Sequence, residues 1–74
     1  MKNINTKLSL YNNNKLVIEN YINLLDISDS KIIIDKYTIN GNNLKIKEMN
    51  NYYIVIIGII NNICFENDNK WDIM

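Results

Sequence analysis

Apolar residues in this chain never recur at i, i+3, i+4 and i+7 for three helical turns. They alternate with polar residues, or form short β-branched runs between clusters of Asn, Asp and Ser. Lys7-Leu8-Ser9-Leu10 and Leu44-Lys45-Ile46-Lys47-Glu48 show the alternation, which places Leu44 and Ile46 on one face and Lys45 and Lys47 on the other. A period of two is the period of a half-buried strand, so the chain is predicted to be all-β.

Turn chemistry divides it further. Clusters at Asn12–Asn14, Asn20–Asn23, Ser28–Ser30, near Lys36, at Asn40–Asn43 and at Met49–Asn51 separate strands near residues 6 to 11, 15 to 19, 24 to 27, 31 to 35, 37 to 40, 44 to 48 and 52 to 66. Asn40-Gly41 reads as a hairpin turn. Connections this short make neighbouring strands antiparallel, because a parallel crossover needs about a dozen residues or more. The expectation is a small antiparallel meander of about seven or eight short strands, closing as a sandwich, roll or open barrel. Residues 1–74 read as one domain, with a core over about 6–66 and a C-terminal tail at 67–74; no linker divides them.

The last strand is apolar on both faces, with Ile54, Ile56 and Ile60 at even positions and Tyr53, Val55, Ile57 and Ile59 at odd ones. Gly58 interrupts it, and a Gly inside a strand marks a bulge or a sharp bend. Ile63 and Phe65 are apolar at odd positions, so the inward parity switches near Asn61-Asn62. Asn40, Gly41 and Gly58 are therefore the structural turn or bulge residues.

Composition removes several functional classes. The chain contains no His, Arg, Pro, Ala or Gln, and eight Lys balance eight acids. A neutral surface is a poor match for nucleic acid, and the commonest general base and metal ligand are missing. No catalytic residue, metal ligand, cofactor or small-molecule substrate is assigned, and the chain reads as not an enzyme. Asp26 and Asp29 flank Ser28, but these residue types near a turn make local backbone hydrogen bonds. Cys64, between Ile63 and Phe65, has no basic neighbour and reads as a buried or half-buried free thiol. A lone cysteine fits a reducing cytoplasm. Met1–Ser9 lacks the apolar core of a secretory signal, and the longest apolar run, Tyr52–Ile60, spans nine residues. That is about half of what a membrane-spanning helix needs. Ile and Asn, sixteen residues each, share AT-rich codons with Lys and Tyr, so no single Ile or Asn carries functional weight.

Three segments together carry a resemblance: Leu16-Val17-Ile18-Glu19-Asn20-Tyr21, then Ile39 through Glu48 (INGNNLKIKE), then Ile54 through Phe65 (IVIIGIINNICF). In this order they resemble the YabP/YqfC family of sporulation proteins, with YqfC the closer branch, over roughly residues 8 to 66. The resemblance implies a small all-β protein of endospore-forming, low-GC bacteria, made in the mother cell. It would act there as a non-catalytic structural or assembly factor, cytoplasmic or peripheral at the forespore outer membrane. It implies a membrane-embedded sporulation protein as partner, and brings no catalytic residue or cofactor. Self-association is a further expectation.

The chain departs from that pattern. Met1 stands close to the first strand, where the family has an upstream segment. The Ile32–Ile39 hairpin is shorter, and Asn23 stands where Gly is common. Ile57 and Ile59 occupy positions polar in the family, so Tyr53, Val55, Ile57 and Ile59 form an apolar stripe and the candidate interaction face. Two readings of this stripe stay open: a partner surface, or a strand covered on both sides by the domain itself. The alternative function is a small β interaction module of unrelated role, such as a phage or regulatory adaptor.

Overall fold

The computed structural model describes residues 6–66, so the tail at 67–74 lies outside the described residues. Six antiparallel strands form one open sheet, with no helix among the described residues: β1 Lys7–Tyr11, β2 Lys15–Glu19, β3 Leu24–Ile27, β4 Lys31–Ile34, β5 Tyr37–Met49 and β6 Tyr53–Phe65. Their order across the sheet is β1-β2-β6-β5-β4-β3. The fold class is the expected one, with fewer and longer strands.

Two expectations are corrected. Asn40-Gly41 does not form a hairpin turn; it lies inside β5, which runs unbroken for 13 residues beside the 13-residue β6. Local Asn-Gly chemistry gives way to a continuous partner, since β6 offers a ladder along the whole length. Nor is the chain a simple meander. β2 pairs on its second side with β6, so the chain crosses through residues 20–23 to the far edge before β3 begins.

The long β5–β6 hairpin organises the rest by bending. Three register shifts interrupt its ladder, between Asn40/Gly41, Asn42/Lys45 and Ile46/Glu48. The first leaves Asn61 as an extra residue on β6, which is the parity switch read from the sequence. At the second, Gly58 has φ +130°, and a Cβ there would stand 2.5 Å from the Asn43 carbonyl oxygen. A Cβ on Gly41 would collide with the backbone carbonyl of Ile59. Both glycines are required by close approach of the two backbones at the bend.

Two hairpin tips brace the bend from either side. In the β1–β2 turn, Asn12 and Asn13 both adopt left-handed backbone (φ 53° and 59°), and the Asn14 N–H closes the turn on the Tyr11 carbonyl at 3.1 Å. The Ile60 and Gly58 N–H groups then donate to the Asn13 and Asn14 carbonyls at 2.9 and 3.3 Å. On the other side, Gly41 and Leu44 donate to the Ser30 and Asp29 carbonyls at 3.0 and 2.9 Å. The turn carrying those carbonyls is held by the Ser28 hydroxyl, which accepts from the Ser30 and Lys31 N–H groups at 3.3 and 3.0 Å. Of the Asp26, Ser28 and Asp29 side chains, Ser28 takes the expected local hydrogen-bonding role.

Bending brings one face of the sheet onto itself. Leu16 and Ile18 of β2, with Ile54 and Ile56 of β6, form a single core with Ile32 and Ile34 of β4, Ile39 and Leu44 of β5, and Ile60. Seven of these side chains have no exposed surface at all. Among the described residues a single sheet supplies all of this core, so its apolar face is turned in upon itself. Each fully buried Ile or Leu contributes about 1.5–3 kcal/mol. No polar or charged side chain is buried among the described residues.

Candidate functional site

The outward face of β6 carries the four residues singled out in the sequence, and the sheet treats each differently. Val55 is buried at 7% exposure, between Val17 of β2 and Glu48 of β5 in the register. Tyr53 is half-buried, and its hydroxyl donates to a Glu48 carboxylate oxygen at 2.6 Å. That hydrogen bond, and then the negative charge of Glu48, hold the phenol of Tyr53 above its ordinary pKa. Ile57 is half-buried with Lys15 and Lys45 as its two cross-strand neighbours. Ile59 alone of the four is exposed, at 52%, because β2 ends its pairing at Ile57 and the register sets Ile59 opposite Asn42. The stripe is therefore a line of apolar residues divided by lysine and glutamate, with one exposed member.

The expected burial of Cys64 is corrected: its thiol is exposed. After the shift at Asn61, Ile63 and Phe65 take the inward positions opposite Ile39 and Tyr37, so Cys64 points outward opposite Thr38. Its Sγ lies 3.7 Å from the Asn62 Oδ1.

A larger apolar surface lies at one end of the molecule. The strand-crossing segment, the β4–β5 turn and the end of β6 meet there around an open depression of about 510 Å³, lined by Thr6, Ile22, Asn23, Leu25, Asp35, Lys36, Tyr37 and Phe65. Ile22, Leu25 and Phe65 are exposed at 74%, 61% and 59%. The Tyr37 and Phe65 rings pack at 4.9 Å between centroids, tilted by 49°. These apolar groups sit on a fixed frame. Asp35, in left-handed backbone (φ 53°) in the β4–β5 turn, accepts the Asn23 N–H at 2.7 Å and the Ile22 N–H at 3.0 and 3.2 Å. Its own N–H donates to the Asn23 carbonyl at 2.9 Å. The Glu66 N–H bonds the Lys36 carbonyl at 2.7 Å and fixes Phe65 beside the turn. Farther back along the crossing, the Tyr21 hydroxyl donates to the Asn50 carbonyl at 2.6 Å.

Sequence reading missed this surface because its residues come from four separate segments. One signal was present: Ile22 is an apolar residue inside an Asn-rich turn, where nothing in the alternation gives it a core position. Among the described residues no group of three or more Cys, Asp and Glu converges to hold a metal ion, and no helix is long and apolar enough to cross a membrane.

No known family, curated protein or solved structure matches the chain.

Proposed function

We propose that this chain is a non-catalytic assembly protein that works through surface contact, and that its contact surface is the apolar end around Ile22, Leu25, Tyr37 and Phe65. The observation that carries this reading is the set of hydrogen bonds that ties Ile22, Asn23 and the end of β6 to the β4–β5 turn beneath that surface. Three exposed apolar side chains and one half-buried ring surround a single depression, and backbone hydrogen bonds to Asp35 and Lys36 fix the segments bearing them. Exposed apolar side chains on a pre-formed frame lose little entropy when a partner covers them. The setting proposed is endospore formation in the mother cell, supported by the resemblance of the three segments to the YabP/YqfC family. A membrane-embedded sporulation protein is the proposed partner.

Deleting the gene in its native host is expected to leave vegetative growth unchanged and to lower the yield of heat-resistant spores. Complementation with Ile22→Ser/Leu25→Ser is expected to fail, while the purified double variant keeps its urea midpoint because both side chains are already exposed. Full complementation by a folded double variant would refute the contact surface. Steady expression during growth, in a host without a sporulation programme, would refute the setting and favour an interaction module of another role.

A further inference from the structure

The two edges of the sheet are not equally protected. β3 is four residues long, carries Asp26 on its outward face and bulges between Leu24 and Asp26. Short length, charge and a bulge are the devices by which edge strands avoid pairing with other chains. β1 is the less protected of the two: it is one residue longer, pairs with β2 along all five residues without a bulge, and carries its one charge, Lys7, at the end. β1 also presents Leu10, which lies on the core side opposite Leu16, at 44% exposure.

We propose that β1 is a self-association edge and that its occupant is β1 of a second copy, paired antiparallel about a two-fold axis through Ser9. This inference goes beyond the contact surface proposed above and does not depend on it. A two-fold axis at Ser9 gives the one symmetric register that pairs all five residues. Ser9 then faces its own copy, Leu8 faces Leu10 of the partner subunit, and Lys7 faces Tyr11 of the partner subunit. No like charges stand opposite one another. Leu8 and Leu10 stay on the core side of both copies, so the exposed Leu10 becomes covered. Tyr11 is already the ring on which Lys15 rests, 5.7 Å from ammonium to centroid, and Lys7 of the partner subunit brings a second cation to it. The axis closes on itself, so the assembly stops at two copies joined in one twelve-stranded sheet, twice the six strands of each copy. The remaining edges are then the two copies of the blunted β3.

Sedimentation of the full chain is expected to give twice the monomer mass at micromolar concentration, and Leu10→Lys is expected to give the monomer while retaining the β signal in circular dichroism. Register is tested by cross-linking in a Cys64→Ser background, needed because that thiol is exposed. Ser9→Cys should form a covalent dimer with a short bifunctional thiol reagent, since residues directly opposite in antiparallel strands have Cβ atoms about 4.5–5.5 Å apart. Leu25→Cys, on the opposite edge, should form no covalent dimer. A chain that is monomeric throughout, or a dimer in which Ser9→Cys fails to cross-link, overturns the proposal.

Discussion

At the scale of single residues, the bend in the long hairpin depends on two positions without side chains. Gly58→Ala places a Cβ against the Asn43 carbonyl in a backbone region (φ +130°) closed to other residues, and Gly41→Ala drives one into the Ile59 carbonyl. Each is expected to destabilise the domain by about 2 kcal/mol or more. Asn43→Gly, at φ 54°, is expected to be neutral or stabilising by a few tenths of a kcal/mol. Urea unfolding midpoints of the three variants check this ordering. Asp35 is the other residue on which local geometry converges, and Asp35→Ala leaves the exposed Ile22 and Asn23 N–H groups to water, at a cost of about 0.5–1.5 kcal/mol. For Tyr53 the raised pKa has a defined consequence. Its bond to Glu48 is present at neutral pH and up to the ordinary tyrosine value of about 10, and is lost as pH rises through the higher folded value. Ultraviolet titration of the five tyrosines should show one ionising late, and Glu48→Ala should bring it down. An unchanged curve in that variant would assign the late step to another ring.

At the scale of elements, β6 tests whether facing has been assigned correctly. Ile56→Asp puts a carboxylate where there is no exposed surface, at a cost of several kcal/mol against a total stability of about 5 kcal/mol, so it is expected to unfold the domain. Val55→Asp should be nearly as damaging, although Val55 belongs to the outward face, because neighbouring side chains leave it 7% exposed. Ile57→Asp is expected to cost about 1 kcal/mol or less, since Lys15 and Lys45 flank the new charge, and Ile59→Asp still less. Denaturant midpoints in the order Ile59, Ile57, Val55, Ile56 agree with this facing; an Ile57→Asp variant as unstable as Ile56→Asp would contradict it. Much of this facing is legible in the sequence. The alternation of Leu16 with Ile18 and of Ile54 with Ile56 marks the core face, and Ile63 and Phe65 mark the change of parity at Asn61. Turn chemistry is legible at Asn12–Asn14 for the same local reason, since both central residues are left-handed. At Asn40-Gly41 the same signal misleads, because the conformation there is set by a cross-strand neighbour distant in sequence. The apolar end is illegible on similar grounds: residues 22, 25, 37 and 65 become neighbours only once the chain has crossed from β2 to the far edge.

At the scale of the whole molecule, one sheet does the work of two. The glycine bend, the two bracing hairpin tips and the crossing at residues 20–23 all serve to turn one apolar face inward upon itself. The exposed end and the β1 edge take their meaning from this closure, because without it the whole Ile-rich face would be exposed and no one patch would stand out. The closure is tested most directly by methyl nuclear Overhauser effects in the isotopically labelled full chain. β2 and β4 lie three places apart in the sheet order, with β6 and β5 between them. Cross-peaks are expected from the methyl groups of Leu16, Ile18, Ile54 and Ile56 to those of Ile32, Ile34 and Ile39. A folded protein whose methyl contacts run only between adjacent strands would be a flat sheet with its apolar face uncovered, and would contradict this closure.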